Sequence, residues 1–218
     1  MLVKLAADNR TLKQIRSNER KADKKRELLP FYLPWVAGVL ANGKGAQDDI
    51  VMTVMLWRLD ADDIAGALEI ARYAMTYGLT MPTGRRPTPY LLAEEVALSA
   101  QRLLTAKQPV ELANLLDTIA LTERADMPDI VRAKLHKITG YALRDANQLP
   151  EALAHLQRAI QLERTIGVKK DIEQLERQLR PKPEPAPKTK TTKPRTRKPA
   201  AKPAARRGRP PKAAKAAG

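Results

Sequence analysis

Three groups of acids stand out in this 218-residue sequence: Asp48-Asp49, Asp60 with Asp62 and Asp63, and Glu94-Glu95. Two or three carboxylates converging on one divalent cation can activate water against a phosphodiester, so a Mg2+-dependent nuclease centre would be built at such positions. The same residues have a simpler reading. Each group falls where the sequence predicts a helix to start, and acids there accept hydrogen bonds from free amides and face the positive end of the helix dipole. Capping accounts for all three groups. No His pair, HNH pattern or lysine in an acid-rich motif accompanies them. The catalytic positions are therefore unassigned, with Asp48, Asp49, Asp60, Asp62 and Asp63 as the candidates and Mg2+ as a cofactor only if the chain cuts DNA. The sequence has no cysteine, which removes thiolate chemistry and disulfides, and its two histidines are too few for a His-rich metal site. Those two, His136 and His155, read as structural. The segment "ANGKGAQ" lacks the spacing of a phosphate-binding loop, so ATP hydrolysis is not expected.

A different chemistry is carried by the C-terminus. Arg207-Gly208-Arg209-Pro210 matches the core of an AT-hook. The narrow minor groove of A·T tracts has an enhanced negative potential that attracts arginine. Glycine between the two arginines lets the backbone lie deep in the groove, and proline holds it extended. Around this core Lys190, Lys193, Arg195, Arg197, Lys198, Arg206 and Lys212 are placed to meet phosphate. No aromatic residue is interleaved, so base stacking by this tail is excluded. Arg85-Arg86, in a proline-rich loop, are either phosphate contacts or solvated charges.

The charge is segregated. The whole chain carries a formal net charge of +16. Residues 180–218 account for +13 and residues 1–29 for +5, while 30–179 are close to neutral at −2. A neutral body with two cationic ends fits a polyanion, whose counterions are released when its phosphates are neutralised. Three segments follow: a basic helical arm over 1–29, an all-α core and oligomerisation domain over 30–180, and a Lys/Arg/Pro/Ala-rich DNA-binding tail over 181–218. The tail has nine prolines and no large apolar residue. It cannot bury enough surface to offset its ordering entropy and is expected to be disordered alone. No stretch approaches the roughly 20 apolar residues of a membrane span, and no signal peptide is evident, so a cytoplasmic protein without membrane contact is expected.

The elements that position these residues read as helices throughout, because no segment alternates with period two. A basic helix over 8–29 is expected to be broken by Pro30 and Pro34. Ile50, Val51, Val54, Met55 and Leu59 recur at helical spacing, Asp60 is placed to cap the next helix, and Gly78 to end it. "MPTGRRPTP" reads as irregular, and five further helical segments follow. Residues 139–163 look like a tetratricopeptide hairpin, with Gly140, Ala152, Leu156 and Ala159 at the helix contact. Val168, Ile172, Leu175 and Leu179 make an apolar stripe that either packs back on this hairpin or pairs with a second copy, with oligomerisation favoured. Trp35 and Trp57 read as core anchors.

The segment "LPFYLPWVAGVLANGKGAQDDIVMTVMLWRLDADDIAGALEIARYAMTYGLTMP" resembles the gpM family, the small or endonuclease terminase subunits of temperate tailed phages with cohesive ends. Leu33-Pro34-Trp35, Asp48-Asp49, Met55-Leu56-Trp57-Arg58, Asp62-Asp63 and Ala74-Met75 carry the likeness, which covers residues 1 to about 170. The resemblance implies viral DNA packaging in the bacterial host cytoplasm, double-stranded phage DNA and a large ATPase subunit as partners, a homo-oligomer, and a part in endonucleolytic cutting at the cohesive-end site. It transfers no catalytic residue, and the cutting and ATPase centres are expected in the large subunit. Two other functions fit the residues: a metal-dependent endonuclease in its own right, and a tetratricopeptide-like adaptor whose tail serves solubility.

Overall fold

A computed structural model describes residues 1–180 apart from Thr83 and Arg85. Among the described residues there are nine helices and no strand: α1 (Leu2–Gln14), α2 (Asn18–Asn42), α3 (Asp49–Asp60), α4 (Ile64–Tyr77), α5 (Thr88–Thr105), α6 (Leu112–Thr122), α7 (Asp129–Asp145), α8 (Leu149–Leu162) and α9 (Lys169–Leu179). The all-α class expected from the sequence is what the chain adopts.

The pivot is α3. Ile50, Val51, Met52, Val54, Met55, Trp57 and Leu59 are all buried, which is apolar surface on every side of one helix. Such a helix must be covered all round, and α2, α4 and α5 pack about it. Each contributes a one-sided face: Leu29, Tyr32 and Val36 from α2, Ala67, Leu68 and Ala71 from α4, Leu92 and Val96 from α5. A second, smaller core joins Ala133, Leu143, Ala152, Leu156, Val168 and Leu175 of α7, α8 and the α9 region.

Pro30 and Pro34 do not break the helix, contrary to expectation; α2 runs through both over 25 residues. Each proline removes one backbone donor and crowds the carbonyl four residues earlier. Both prolines and Arg26 are exposed, so the carbonyls released at 26 and 30 belong to solvent-facing residues, while the opposite face is locked into the core. Residue 29 thus lies inside a continuous helix. Residues 1–29 also enter the body: Leu5, Leu12 and Leu29 are buried, and the fully buried Tyr32 donates its hydroxyl to Asp8 Oδ2 at 2.5 Å. Burial, with the bond to Asp8 adding to it, pushes the Tyr32 hydroxyl well above the usual phenol range.

Gly78 ends α4 in the left-handed conformation, φ 68°, as expected. The cap of α4 differs from the expectation. Asp60 is the last residue of α3, and Asp63 is the cap. The irregular segment also ends earlier than expected, because Thr88 and Pro89 already belong to the first turn of α5, where a missing amide costs nothing. α7 and α8 lie against each other as a hairpin. A Cβ on Gly140 would meet Leu156 Cδ2 at 2.7 Å and the Ala152 carbonyl oxygen at 3.2 Å, so glycine permits the close approach. The stripe at α9 packs back on this hairpin: Val168 and Leu175 are buried beside Ala152, Leu156 and Ala159, with Ile172 against them.

Candidate functional site

Asp48-Asp49 and the Asp60–Asp63 group stand at opposite ends of α3. Twelve residues of helix span about 18 Å, so the two groups cannot share an ion. At the first end Asp48 Oδ1 accepts from the Ile50 and Val51 amides at 2.8 and 3.0 Å, and its Oδ2 accepts from Trp35 Nε1 at 3.0 Å. Asp49 accepts from Gln47 Nε2 at 3.1 Å, and the same amide group of Gln47 ties to Thr80. This is a capping cluster.

At the second end every acid has a cation. Asp60 pairs with Lys25. Asp62, left-handed at φ 64°, accepts from Ser99 Oγ at 2.9 Å and from Arg102 Nε and Nη2 at 3.0 and 2.8 Å, with Arg26 Nη2 at 3.5 Å. Asp63 caps α4 through the Gly66 amide at 2.9 Å and receives Arg58 Nη1 at 2.6 Å. A Cβ on Gly66 would sit 1.5 Å from Arg58 Nη1, so this glycine makes room for the guanidinium. Glu94 pairs with Arg86. Burial pushes the Glu95 carboxyl up, with repulsion from Asp60 and Glu94 adding to it and Arg102 and Arg86 opposing.

These acids do not fit Mg2+. Their oxygens are committed to amides, guanidinium groups and lysine, and no group of three or more His, Cys, Asp or Glu side chains is placed to hold a metal ion among the described residues. What the corner can do chemically is hold its own turn. Lys25, Arg26, Ser99 and Arg102 do that holding, and sequence reasoning missed them. The partners are 35 to 43 residues apart in sequence, a separation that leaves no local signal.

Trp57 is buried as expected, edge-on to Tyr32 with ring centres 5.7 Å apart. Trp35 is not a core anchor: it is 40% exposed and held only at its ring nitrogen. Its α-helical neighbours at the buried stripe are Tyr32 and Val36, which leaves position 35 facing out. His136 and His155 meet at the α7–α8 contact, Nδ1 to Nδ1 3.1 Å. Burial lowers both, His136 to about 4, with His155, Arg158 and Arg132 adding to the shift at His136. Arg86 lies 5.5 Å from the Tyr90 ring centre besides its bond to Glu94. Arg85 and the tail positions Lys190, Lys193, Arg195, Arg197, Lys198, Arg206, Arg207, Gly208, Arg209, Pro210 and Lys212 lie outside the described residues.

The helical body pairs its candidate acids Asp60, Asp62, Asp63 and Glu94 internally, and the sequence that follows it is strongly cationic. The chain belongs to the phage small terminase subunit family, whose model matches residues 2–130. It is 65% identical over 215 residues to the terminase, endonuclease subunit, of Escherichia phage P2, covering 98% of this chain and 86% of that protein. It is also 26% identical over 186 residues to the probable terminase, endonuclease subunit, of Haemophilus phage HP1 (strain HP1c1), covering 78% and 66% respectively. No solved structure matches the chain. The family match ends at the start of α7, so it spans the α3-centred core and leaves most of the α7–α9 hairpin region beyond it.

Proposed function

We propose that this chain binds double-stranded phage DNA at the cohesive-end packaging site and delivers it to the large terminase subunit, which carries the ATPase and cutting centres, in the host cytoplasm. The observation that carries this reading is a tail of fourteen cations and the one acid Glu184, on a body whose nuclease-candidate acids are all used internally. Residues 180–218 hold +13, and Arg207-Gly208-Arg209-Pro210 sits near their end. Arg207 and Arg209 enter the minor groove, and Lys190, Lys193, Arg195, Arg197, Lys198, Arg206 and Lys212 meet phosphate. Measuring duplex affinity against salt for the full chain and for Arg207→Gln/Arg209→Gln tests it. The double variant is expected to bind more weakly and to lose the preference for A·T tracts that the unmodified chain shows; equal binding by both proteins refutes the hook.

The name of the phage P2 relative supports a second reading, that the chain is itself the endonuclease. Cutting of cohesive-end DNA by the purified chain with Mg2+ and no large subunit would favour it. The homo-oligomer is also part of the proposal. Its support is that Met1, Leu2, Val3, Phe31 and Trp35 are half of the ten large apolar side chains exposed among the described residues. Among the described residues no helix is long and apolar enough to cross a membrane.

A further inference from the structure

Ion pairing is uneven over the first helices. From Asp23 to Arg26 every cation of α2 is answered: Arg26 by Asp23 and Asp62, Lys24 by Glu27, Lys25 by Asp60. Immediately before that run, Arg10, Lys13, Arg16, Arg20 and Lys21 have no carboxylate partner among the described residues. Glu19 is the one acid between positions 10 and 21. These five cations surround the elbow at residues 15–17, where α1 ends and α2 begins. At 1.5 Å per helical residue all of them lie within about 8 Å of the elbow along their helix axes. Arg10, Lys13, Arg16 and Arg20 are exposed. On α1 the buried stripe is Leu5 and Leu12; Arg10 stands on the other side of the helix and Lys13 on the flank of the stripe. The amino end of α2 opens at the same point, with the Ser17 hydroxyl accepting only from the Arg20 amide at 3.3 Å.

Solubilising charge on a folded surface is normally mixed in sign, as it is from Asp23 onward. Five unpaired cations against the one acid Glu19, on an ordered corner beside a helix amino end, suit a row of phosphates. We infer that the α1–α2 elbow is a second, rigid DNA-backbone contact, which holds the duplex to the body while the tail reads its groove. The inference rests on the DNA-binding reading above. The ordered elbow fixes the body's orientation on the duplex and carries no sequence preference, because it offers charge to phosphate and nothing to base edges.

Four full-length proteins test it by fluorescence anisotropy on a random-sequence duplex across a salt series: unmodified, an elbow variant (Arg10→Gln, Lys13→Gln, Arg16→Gln, Arg20→Gln), a tail variant (Arg206→Gln, Arg207→Gln, Arg209→Gln), and both combined. Losing four phosphate contacts is expected to make the log–log salt slope of the elbow variant shallower by about 3.6, with the tail change adding to it in the combined protein. Far-UV circular dichroism checks the helices. If the elbow variant loses helix, single Arg16→Gln, in the elbow between the helices, replaces it with an expected slope change of about 0.9. A slope unchanged by the elbow substitutions overturns the inference and leaves the tail reading standing if the tail variant still weakens binding. No duplex binding by any of the four proteins overturns both. Loss of binding to phosphatidylserine vesicles with duplex binding unchanged overturns it in favour of a membrane surface.

Discussion

Asp63 joins two tasks in one carboxylate, and that makes it the most informative single position in the body. One oxygen closes the first turn of α4 through the Gly66 amide and the other holds Arg58, whose side chain is only 13% exposed. Asp63→Ala removes a cap, which is typically about 1 kcal/mol, and leaves a nearly buried guanidinium unanswered, which adds about 1–3 kcal/mol. Urea unfolding is expected to show a loss on the order of 2–4 kcal/mol, with Asp63→Asn losing less because it still caps. A nuclease carboxylate would behave differently, losing cutting while stability held. At this scale the sequence disclosed the Asp48 cap, since an acid before an apolar periodic run is a local pattern, but it placed the α4 cap at Asp60 instead of Asp63 and read Glu94-Glu95 as a helix start although both lie inside α5. It did not disclose the ion pairs, because Arg102 and Lys25 reach Asp62 and Asp60 only after the helices have packed. The histidines belong here too. In the folded chain His136 titrates near 4, against 6.5 for an ordinary ring, and His155 is lowered as well. The unfolded chain therefore takes up protons first as pH falls. Stability is unaffected above about pH 6.5 and declines as pH drops towards 4. The pair is partly reached by solvent, which screens the effect, so thermal melts between pH 7 and 5 are expected to lose on the order of 1 kcal/mol. The double variant His136→Gln/His155→Gln is expected to lose this part of the pH dependence.

At the scale of elements the instructive cases are the prolines and Gly140. A proline inside a helix normally costs about 3 kcal/mol, and on that rule alone Pro30 and Pro34 should end one. Tertiary burial outweighs it here, because Leu29, Tyr32 and Val36 fall on the opposite face and are locked against the core. Nothing local in the sequence announces that outcome; it depends on α3 offering an apolar surface to the stretch of α2 from Leu29 to Val36 that holds both prolines. Pro34→Ala restores an amide to the exposed side of an already formed helix. It is expected to raise the melting temperature, by a free energy of about 1–3 kcal/mol. A fall instead would mean that the proline sets a bend on which the packing of Tyr32 and Val36 depends. Gly140 was legible in the sequence as a point of close approach, since a glycine amid a helical pattern has few other reasons to be there. Leu156 is fully buried against it and has no space into which to retreat. Gly140→Val is accordingly expected to part α7 from α8 and to cost about 1–3 kcal/mol in chemical denaturation. α9, which docks on α8 through Val168 and Leu175, should lose protection from hydrogen exchange with it.

For the whole molecule, the all-α class and the segregation of charge could be read directly, because periodicity and net charge add up along a chain without reference to contacts. Which surfaces stay uncovered could not. The stripe Val168, Ile172, Leu175 and Leu179 fitted either an oligomer seam or a return onto the hairpin, and the hairpin takes up its first three residues. Exposure is concentrated elsewhere, at Met1, Leu2, Val3, Phe31 and Trp35. Phe31 and Trp35 are one helical turn apart on α2, and Trp35 borders a cavity of about 520 Å³ with Met1, Leu2 and Val3. The Trp35 ring is pinned by Asp48, so it would present a rigid aromatic surface at little entropic cost to a partner. Val3 is 83% exposed and Phe31 54%; Phe31 keeps an edge contact with Tyr32 at 5.7 Å and has Lys4 Nζ 4.3 Å from its ring centre, so removing the two takes little from the core. Light scattering on the full chain is therefore expected to give a mass above the monomer, and Val3→Asp/Phe31→Ser is expected to return it to the monomer without loss of helix. If the oligomer survives that change, assembly must use another face. Because several copies would put several cationic tails on one duplex, the dissociated variant should also bind DNA more weakly at equal chain concentration, through lost avidity alone.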